Sequence, residues 1–432
     1  MSASTVPTGG DPLLAPDVLR AQSNAVRSLS GAAVFGGIAV AGAIPAGALL
    51  AASIADSAAA AGFAQTSGVL GAALLALPLA RIALTRGRRA ALTLGYAIGA
   101  LGAVIVVFAA VERNLILVYV GCLLVGVASA AGLQARYAAT DLAAEQHRAR
   151  ALSLVVWAST IGAVLGPNLL NASGNLALNL GLPQLSGPYL ISAACLGLAA
   201  VILWLFLRPD PYRMAMTIQK KTTGMVNRPS LREGLVHLRQ RPRAIMGIAA
   251  ISAGHICMVM VMVMTPVHMA HVDVTLQLIG LVISVHVAGM YAFSPIVGWA
   301  VDSLGRTQMV VVGIIILLLA CLISGLAPGD DVVVLGIGLF LLGLGWSCTL
   351  IAGSTIVTDE VEPEKRPAVQ GLSDLAMNAS GAAGGAVAGL VVLLSTYGAL
   401  CAIAAIPVLA LAVLISRPRY RKVASARGQR EQ

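Results

Sequence analysis

Long apolar runs separated by short polar turns dominate this sequence and leave few folds open to it. A helix needs about 20 predominantly apolar residues to cross the hydrocarbon core of a bilayer. Because lipid offers the backbone no hydrogen bonds, each such run is predicted to be an α-helix and the protein an all-α membrane protein. Twelve runs qualify, at residues 30–52, 59–80, 90–111, 115–135, 151–172, 188–207, 244–268, 277–300, 308–327, 332–356, 368–394 and 397–416.

The charged residues agree with a membrane environment. Only 11% of the residues are charged, whereas soluble proteins carry about 25%. The net charge of +10 has the sign that nucleic-acid-binding proteins show. The basic residues, however, lie in tails and turns beside apolar runs, so we expect the lipid bilayer as a partner and no nucleic acid.

Basic residues also predict the orientation. Cytoplasmic loops of membrane proteins carry an excess of Lys and Arg. With the N-terminus in the cytoplasm, every Lys and Arg except Arg113 falls in the tails or the cytoplasmic turns. We therefore expect a multi-pass protein of the cell (inner) membrane with both termini in the cytoplasm.

The groups that enzymes and cofactor sites need are sparse. The six cysteines lie inside apolar runs and form no C-x-x-C, so they are predicted to be small buried hydrophobic residues. The chain has no Walker A loop for ATP. No catalytic constellation appears, and we expect neither an enzyme nor a cofactor.

A polar turn joins the eighth and ninth runs. It has the form Gly298-x-x-x-Asp302-x-x-Gly305-Arg306. Gly298 allows close approach of a neighbouring helix, and Gly305 suits a backbone with positive φ. Asp302 can accept hydrogen bonds from the first N–H groups of a neighbouring helix or pair with a nearby arginine.

The same turn occurs once more in the first half of the chain. An offset of 218 residues carries Gly305-Arg306 onto Gly87-Arg88. It also carries Arg366 onto Arg148, in a second pair of polar loops. Two loop pairs that share one offset indicate a duplicated half.

These turns resemble the signature loop of the major facilitator superfamily, and the resemblance extends from about residue 30 to residue 416. The copy at residues 80–89 departs from the pattern, because Ala80 replaces its glycine and Leu84 its aspartate. The resemblance implies two six-helix bundles that face each other across a central cavity and rock to expose it to either side.

The runs and the resemblance together divide the chain into five segments. The linker between the bundles contains nine Lys and Arg and is predicted to be helical around residues 231–239. A lipid or partner site in it is the alternative to a plain linker. The segments are a cytoplasmic tail (1–29), the first bundle (30–207), the basic linker (208–243), the second bundle (244–416) and a basic cytoplasmic tail (417–432).

The fifth run contains Gly162-x-x-x-Gly166-Pro167, which resembles the helix-5 motif of the superfamily's proton-linked exporters. The two glycines allow a neighbouring helix to pack closely, and Pro167 removes a backbone hydrogen bond. The family pattern ends in two further glycines that this chain lacks. Close packing without any link to export is the competing interpretation.

Few ionisable groups fall inside the runs, and such groups are candidates for function because they are costly in lipid. Asp374, in the eleventh run, is the first candidate for a proton carrier, and a structural ion pair with a cytoplasmic arginine is the alternative. His255 and His286 are the reserve candidates, since imidazole titrates near neutral pH. For either histidine an ordinary buried hydrogen bond is the competing interpretation.

The seventh run is rich in methionine and histidine. Such ligands suit copper(I), but only His255, Met258 and Met262 share one helical stripe. Methionine also fills irregular gaps and lines adaptable surfaces. We therefore predict no metal site.

Five further residues are candidates for the wall of a central cavity. Two tryptophans lie away from the membrane interfaces that tryptophan usually occupies, and three asparagines offer neutral polar contacts. No cluster of charges accompanies them, which favours neutral, apolar or weakly cationic substrates. The five are Trp157, Trp346, Asn168, Asn171 and Asn378.

The sequence thus predicts a secondary active transporter with protons and a small molecule as its partners. Proton-coupled export of small, largely apolar drugs or metabolites is the first interpretation, and the protein is expected to be a monomer. Uptake of a metabolite by symport or facilitated diffusion is the alternative. A receptor that keeps the fold without transport is a third possibility, which the paired signature turns disfavour.

Overall fold

The structure is a computed structural model that describes residue 13 and residues 15–56, 58–223, 231–270, 272–274 and 276–417. Within these residues twelve helices are long and apolar enough to cross a membrane, as the sequence predicts. Parts of the predicted tails 1–29 and 417–432 lie outside the described residues, and so does His271 of the methionine-rich run.

The chain forms sixteen helices within the described residues. The first half contains α1 (Pro16–Ala55), α2 (Ala58–Arg86), α3 (Arg88–Val111), α4 (Leu115–Ala138), α5 (Arg148–Asn168), α6 (Leu170–Asn179) and α7 (Gly187–Phe206). The linker contains α8 (Pro211–Thr223) and α9 (Leu231–Gln240). The second half contains α10 (Pro242–Ala270), α11 (Leu276–Tyr291), α12 (Ser294–Leu304), α13 (Arg306–Leu326), α14 (Val332–Glu360), α15 (Arg366–Leu394) and α16 (Tyr397–Ser416).

Two of the predicted runs are interrupted helices, which corrects their prediction as continuous ones. The fifth run divides at Leu169, between α5 and α6, and the eighth divides just before Ser294, between α11 and α12. Proline stands near both breaks. Proline lacks the N–H that would continue the helical hydrogen bonds, and Pro295 lies in the first turn of α12, where that N–H is not needed.

The first helix begins at Pro16, well before the predicted start at residue 30. Its polar beginning is stabilised by protein contacts in place of lipid. Val18 and Ala21 are buried in one cluster with Leu142 and Ala215 of α8. Gln22 Nε2 donates a hydrogen bond to the carbonyl oxygen of Ala139 at 2.6 Å.

The described part of the linker contains one more helix than the sequence predicts. Helix α9 occupies the predicted helical part around residues 231–239, and α8 is an additional helix. The two helices pack at the same end of the molecule as the polar turns. Leu238 of α9 packs against Val357, Val361 and Val369 in the second half.

The two halves repeat one packing pattern. In the first half α1 packs against α5 and α7, and α3 packs against α4. In the second half α10 packs against α15 and α16, and α13 packs against α14. Between the halves, α2 packs against α15 and α5 packs against α12. This repetition agrees with the duplication that the 218-residue offset indicates.

Candidate functional site

The polar contacts between the halves are concentrated at one end of the molecule, which we call the closed end. It contains the α2–α3 turn and the α12–α13 turn. Gly87 has φ +91° and Gly305 has φ +106°. Residues with a side chain rarely adopt these angles, so glycine is required at both turns.

In each half, the arginine directly after the turn glycine pairs with an aspartate further along the chain. Arg88 Nε lies 2.8 Å from Asp141 Oδ2, and Arg306 Nε lies 3.1 Å from Asp359 Oδ2. The partners are 53 residues apart in both cases. The same Thr-Asp dipeptide supplies the carboxylate in each half. The repeat is therefore one of side-chain contacts as well as of fold.

Asp302 connects the halves through a helix start. Its carboxylate accepts hydrogen bonds from the backbone N–H of Ala149 at 3.3 Å and of Arg150 at 2.9 Å. Both N–H groups belong to the first turn of α5, where the helix dipole favours a negative charge. This is the contact that the sequence predicts for the residue. Arg306 Nη2 also lies 3.5 Å from Asp302 Oδ1.

The equivalent contact in the first half is apolar. Leu84 stands where the pattern has aspartate, and it is buried in one cluster with Ala368, in the first turn of α15, and Tyr212 of α8. The Tyr212 hydroxyl donates to the carbonyl oxygen of Glu364 at 2.7 Å. The linker helix thus bridges the halves where the charged cap is missing.

Each half also has one close helix contact near its turn, and the glycine that permits the contact lies on opposite partners in the two cases. A Cβ placed on Gly298 of α12 would overlap Ser153 of α5. In the other half, Ala80 of α2 faces Gly371 of α15, and a Cβ there would lie 2.5 Å from that of Ala80. The loss of glycine at position 80 is therefore compensated on the facing helix.

Further polar contacts cross between the halves at the closed end. Arg148 Nη1 lies 2.5 Å from Asp359 Oδ1, so Asp359 binds one arginine from each half. Arg306 Nη2 donates to the carbonyl oxygen of Glu145. Arg88 donates to the side-chain oxygen of Gln370 on α15.

A fully buried ion pair between the halves joins Arg136 of α4 to Asp374 of α15. Arg136 Nη2 lies 2.7 Å from Asp374 Oδ1, and the two side chains are 2% and 1% exposed. Next to this pair, Tyr137 Oη and Ser373 Oγ form a hydrogen bond of 3.1 Å, also between the halves. The Tyr137 ring lies 4.8 Å from the Arg136 guanidinium carbon. Asp374 therefore forms an ion pair with an arginine, which was the alternative that the sequence offered, and this arginine belongs to the opposite half.

The two candidate histidines have separate environments. His255 Nδ1 accepts a hydrogen bond from Trp346 Nε1 at 3.1 Å, and Trp346 meets the Tyr291 ring edge-on at 5.8 Å between centroids. His286 is fully buried, with Nδ1 2.8 Å from the carbonyl oxygen of Leu339. Neither histidine lies in an ion pair.

A cavity of about 150 Å³ lies within the first half beside α15. Its walls come from α1, α2, α4 and α7, and they are mostly Val, Ala and Gly. Asn378 contributes from the second half, and its side chain donates to the carbonyl oxygen of Asp374. The polar side chains of the lining are Gln65, Cys122, Ser129, Tyr189 and Asn378.

The fifth-run motif is a close contact between α5 and α1. A Cβ on Gly162 would lie 2.6 Å from Gly37 Cα, and a Cβ on Gly166 would lie 2.9 Å from the Gly42 nitrogen. Pro167 is the penultimate residue of α5. The motif therefore allows two backbones to touch within one half.

Four of the five cavity candidates lie outside this cavity. Asn168 ends α5 and Asn171 belongs to α6, and both are away from the lining described above. Trp157 is 42% exposed on α5. Only Asn378 lines the cavity, while Trp346 belongs to the His255 contact. Among the described residues, no three His, Cys, Asp or Glu side chains are grouped as a metal site would need.

Sequence reasoning missed most of the polar contacts that cross between the halves. No role is predicted from the sequence for Asp141, Asp359, Gln370 or Arg136. One signal was available for the two aspartates, because the offset of 218 carries Thr140-Asp141 onto Thr358-Asp359. Nothing in the sequence pairs Arg136 with Asp374, which are 238 residues apart.

Two bundles of membrane-spanning helices whose duplicated turns meet at one end are the architecture of a secondary transporter of small molecules. The family model of the Major Facilitator Superfamily matches residues 29–275 and 258–432. This chain belongs to that family.

Individual relatives agree with this membership. An uncharacterized MFS-type transporter of Bacillus subtilis, YdeG, is 40% identical over 373 residues, which are 86% of each chain. The riboflavin transporter RfnT of Brucella anthropi is 29% identical over 308 residues, 71% of this chain and 74% of that protein. The crystal structure of the transporter FucP in its outward conformation shares the fold, with a TM-score of 0.69 at 18% identity over 91% of this chain and 100% of that one.

Proposed function

We propose that this transporter is a proton-coupled exporter of small, largely apolar molecules. The observation that carries the proposal is the Arg136–Asp374 pair, a fully buried carboxylate whose partner lies on the opposite half. Movement of the halves must break or remake this pair. Protonation of Asp374 is thereby linked to the movement that opens the transporter to one side of the membrane or the other.

The closed end is assigned to the cytoplasm. The turns at this end contain the basic residues, and membrane proteins keep such turns inside. In the described conformation the cytoplasmic side is then closed by Asp302, Asp359 and the Arg136–Asp374 pair. Both termini lie in the cytoplasm, and the membrane is the cell (inner) membrane.

Asp374 is proposed as the proton carrier. An ionised carboxylate attracts Arg136 and favours the closed end, whereas a protonated one has no net charge to hold the arginine. Separation of the halves at this end is therefore easier with the proton bound. His255 and His286 remain the reserve candidates, since His286 is buried, His255 is partly buried and each uses one ring nitrogen in a hydrogen bond.

The cavity lining supports an apolar substrate. Val, Ala and Gly form most of its wall, and the polar groups named above are neutral. Burial of apolar surface supplies binding energy at about 25 cal/mol per Å². A few neutral polar groups then orient the molecule.

The α1–α5 contact supports outward movement of the substrate. Gly162 and Gly166 lie against the backbone of α1, as the resemblance to the exporters' motif leads us to expect. A contact without side chains lets the two helices move together and keeps this wall of the cavity sealed.

Uptake of a metabolite is the second candidate function. It is favoured by the 29% identical relative that is named a riboflavin transporter. The two candidates differ in the direction in which a proton gradient drives the substrate.

Everted membrane vesicles separate the two candidates. An outward-directed proton gradient, with an acidic lumen, should drive a dye such as ethidium, or riboflavin, into everted vesicles that contain the exporter. A proton symporter would instead accumulate its substrate when the proton gradient is directed inward. Vesicles without the protein are the control, and gradient-independent flux of every compound would contradict proton coupling.

A further inference from the structure

The Arg136–Asp374 pair uses only part of its hydrogen-bonding capacity. One bond joins Arg136 Nη2 to Asp374 Oδ1, and three buried atoms of the pair have no partner: Arg136 Nε, Arg136 Nη1 and Asp374 Oδ2. An unpaired buried donor or acceptor costs about 1–3 kcal/mol. The pair therefore offers two donors and one acceptor at a single place.

The other fully buried arginine shows that the fold can satisfy such a group. Arg88 binds both oxygens of Asp141 and also Gln370, which leaves one nitrogen without a partner. Arginine and carboxylate commonly form two parallel bonds of this kind. Arg136 and Asp374 instead meet through one bond, which leaves the remaining groups available to a third molecule.

The pair lies directly beyond the cavity. Asp374 precedes the lining residue Asn378 by four residues on α15, and Arg136 follows the lining residue Ser129 by seven on α4. Spacings of four and seven keep the residues on one helical face, about 6 Å and 10 Å further along at 1.5 Å per residue. The pair therefore lies one to two helical turns from these lining residues, towards the closed end.

We propose that the Arg136–Asp374 pair is a substrate-binding site for flat, neutral molecules that carry an amide or imide edge. A ring carbonyl accepts from the free N–H groups of Arg136, and the adjacent ring N–H donates to Asp374 Oδ2. The aromatic ring of Tyr137 lies 4.8 Å from the guanidinium carbon and suits a planar ligand.

This inference rests on the proposed function and names its substrate class. A proton on Asp374 Oδ2 turns this oxygen from an acceptor into a donor, so a proton and the ligand N–H compete for the same oxygen. Competition for one group is what an exchange of substrate against protons requires.

Binding of matched probes tests the site. 1,8-Naphthalimide is flat, apolar and fluorescent and has a carbonyl–NH–carbonyl edge, and N-methyl-1,8-naphthalimide lacks only the donor. Titration of the purified full-length protein in detergent should give an affinity for the first that is about tenfold higher, the factor expected for one hydrogen bond to a charged group. Equal affinities, or binding of neither compound, would overturn the proposal, because water alone would then satisfy the pair.

The variant Arg136→Lys tests whether the pair causes the preference for 1,8-naphthalimide over its N-methyl derivative. Arg136→Lys keeps the charge and the partner for Asp374 but lacks the planar set of donors. We expect its affinity for 1,8-naphthalimide to fall to that of the N-methyl compound, whereas Arg243→Lys, the same change at the Arg243–Glu360 pair, keeps the tenfold preference. Retained preference in Arg136→Lys would overturn the proposal.

The test separates this inference from the proposed function. The wild-type comparison of the two probes needs no variant, so it holds even if Arg136→Lys fails to fold. Proton-driven flux of ethidium without preference for the imide would leave export standing and remove the imide site.

Discussion

Asp302 in the second half accepts a hydrogen bond of 2.9 Å from the backbone N–H of Arg150 in the first half. The contact joins the signature turn to the start of α5, so it exists only while the two halves meet at this end. At the equivalent place in the other half, Leu84 packs against Ala368 without any charge. We call these two contacts between the halves the charged latch (Asp302 with the start of α5) and the apolar latch (Leu84 with Ala368 and Tyr212).

Removal of the Asp302 charge should weaken the charged latch. Asp302→Asn keeps the shape of the side chain but loses its attraction to the α5 dipole and to Arg306. We expect normal expression and a shift of about tenfold in the ratio of the two access states, since hydrogen bonds to charged groups contribute about 1.5–3 kcal/mol. Slower transport in proteoliposomes is the readout, with the exposed Asp330→Asn as the control. An unchanged rate would reduce Asp302 to a turn residue.

The apolar latch should respond to the linker helix and not to charge. Tyr212→Phe keeps the ring beside Leu84 and removes only the hydrogen bond to the Glu364 carbonyl. A neutral hydrogen bond contributes about 0.5–1.5 kcal/mol, so we expect a smaller change in transport rate than Asp302→Asn produces. The effect should also be independent of salt, which screens charges and not neutral contacts. A loss of transport larger than that of Asp302→Asn would contradict this ranking.

A side chain on α5 should separate it from α1. Gly166→Leu places a Cβ 2.7 Å from the Ile38 carbonyl oxygen, which is backbone and cannot move aside alone. We predict a leak or a locked state with loss of driven transport, measured as dye flux with and without a proton gradient. Gly197→Leu on α7 is the matched control, because nothing lies within 4 Å of the Cβ position there. Normal transport by Gly166→Leu would weaken the export assignment.

Proton coupling should depend on Asp374. Asp374→Asn removes the ionisable group while it retains a polar partner for Arg136. We expect proton-driven flux to be abolished and substrate exchange between equal pools to continue, since exchange needs no net proton movement. His255→Gln and His286→Gln should have smaller effects on driven flux. Loss of both transport modes in Asp374→Asn would make it a structural residue, and loss of driven flux only in a histidine variant would move the proton site to α10 or α11.

The orientation predicts which positions a reagent reaches from outside. Asp330→Cys is preferable to a change at Asp331, because Asp331 caps α14 through Val334. A membrane-impermeant maleimide should label Asp330→Cys in intact cells and should not label Lys220→Cys on α8. Five native cysteines are buried, so Cys195→Ala gives a low background. The reverse labelling pattern would overturn the assignment of the closed end to the cytoplasm.

The sequence alone determined the membrane fold, the twelve spans and the duplication. The spans depend on the length and apolarity of each run, which are local properties of the sequence. The duplication depends on one repeated spacing of 218 residues, which can also be read from the sequence. The contacts of Asp302 were also predictable, because a carboxylate just before a short turn can bind a neighbouring helix start or a nearby arginine. The breaks at Leu169 and before Ser294 were missed, since an apolar run looks the same whether its helix is continuous or not.

Only the tertiary structure decided which charges meet. Arg136 and Asp374 are 238 residues apart, and their pairing follows from how two bundles pack and not from any spacing along the chain. The compensation of Ala80 by Gly371 and of the missing aspartate by Tyr212 has the same origin, because each replacement lies on a different helix from the residue it replaces. The turns of this transporter can be predicted from the sequence because each is a short local pattern. The contacts between its halves cannot, because they form between surfaces that meet only when the chain folds.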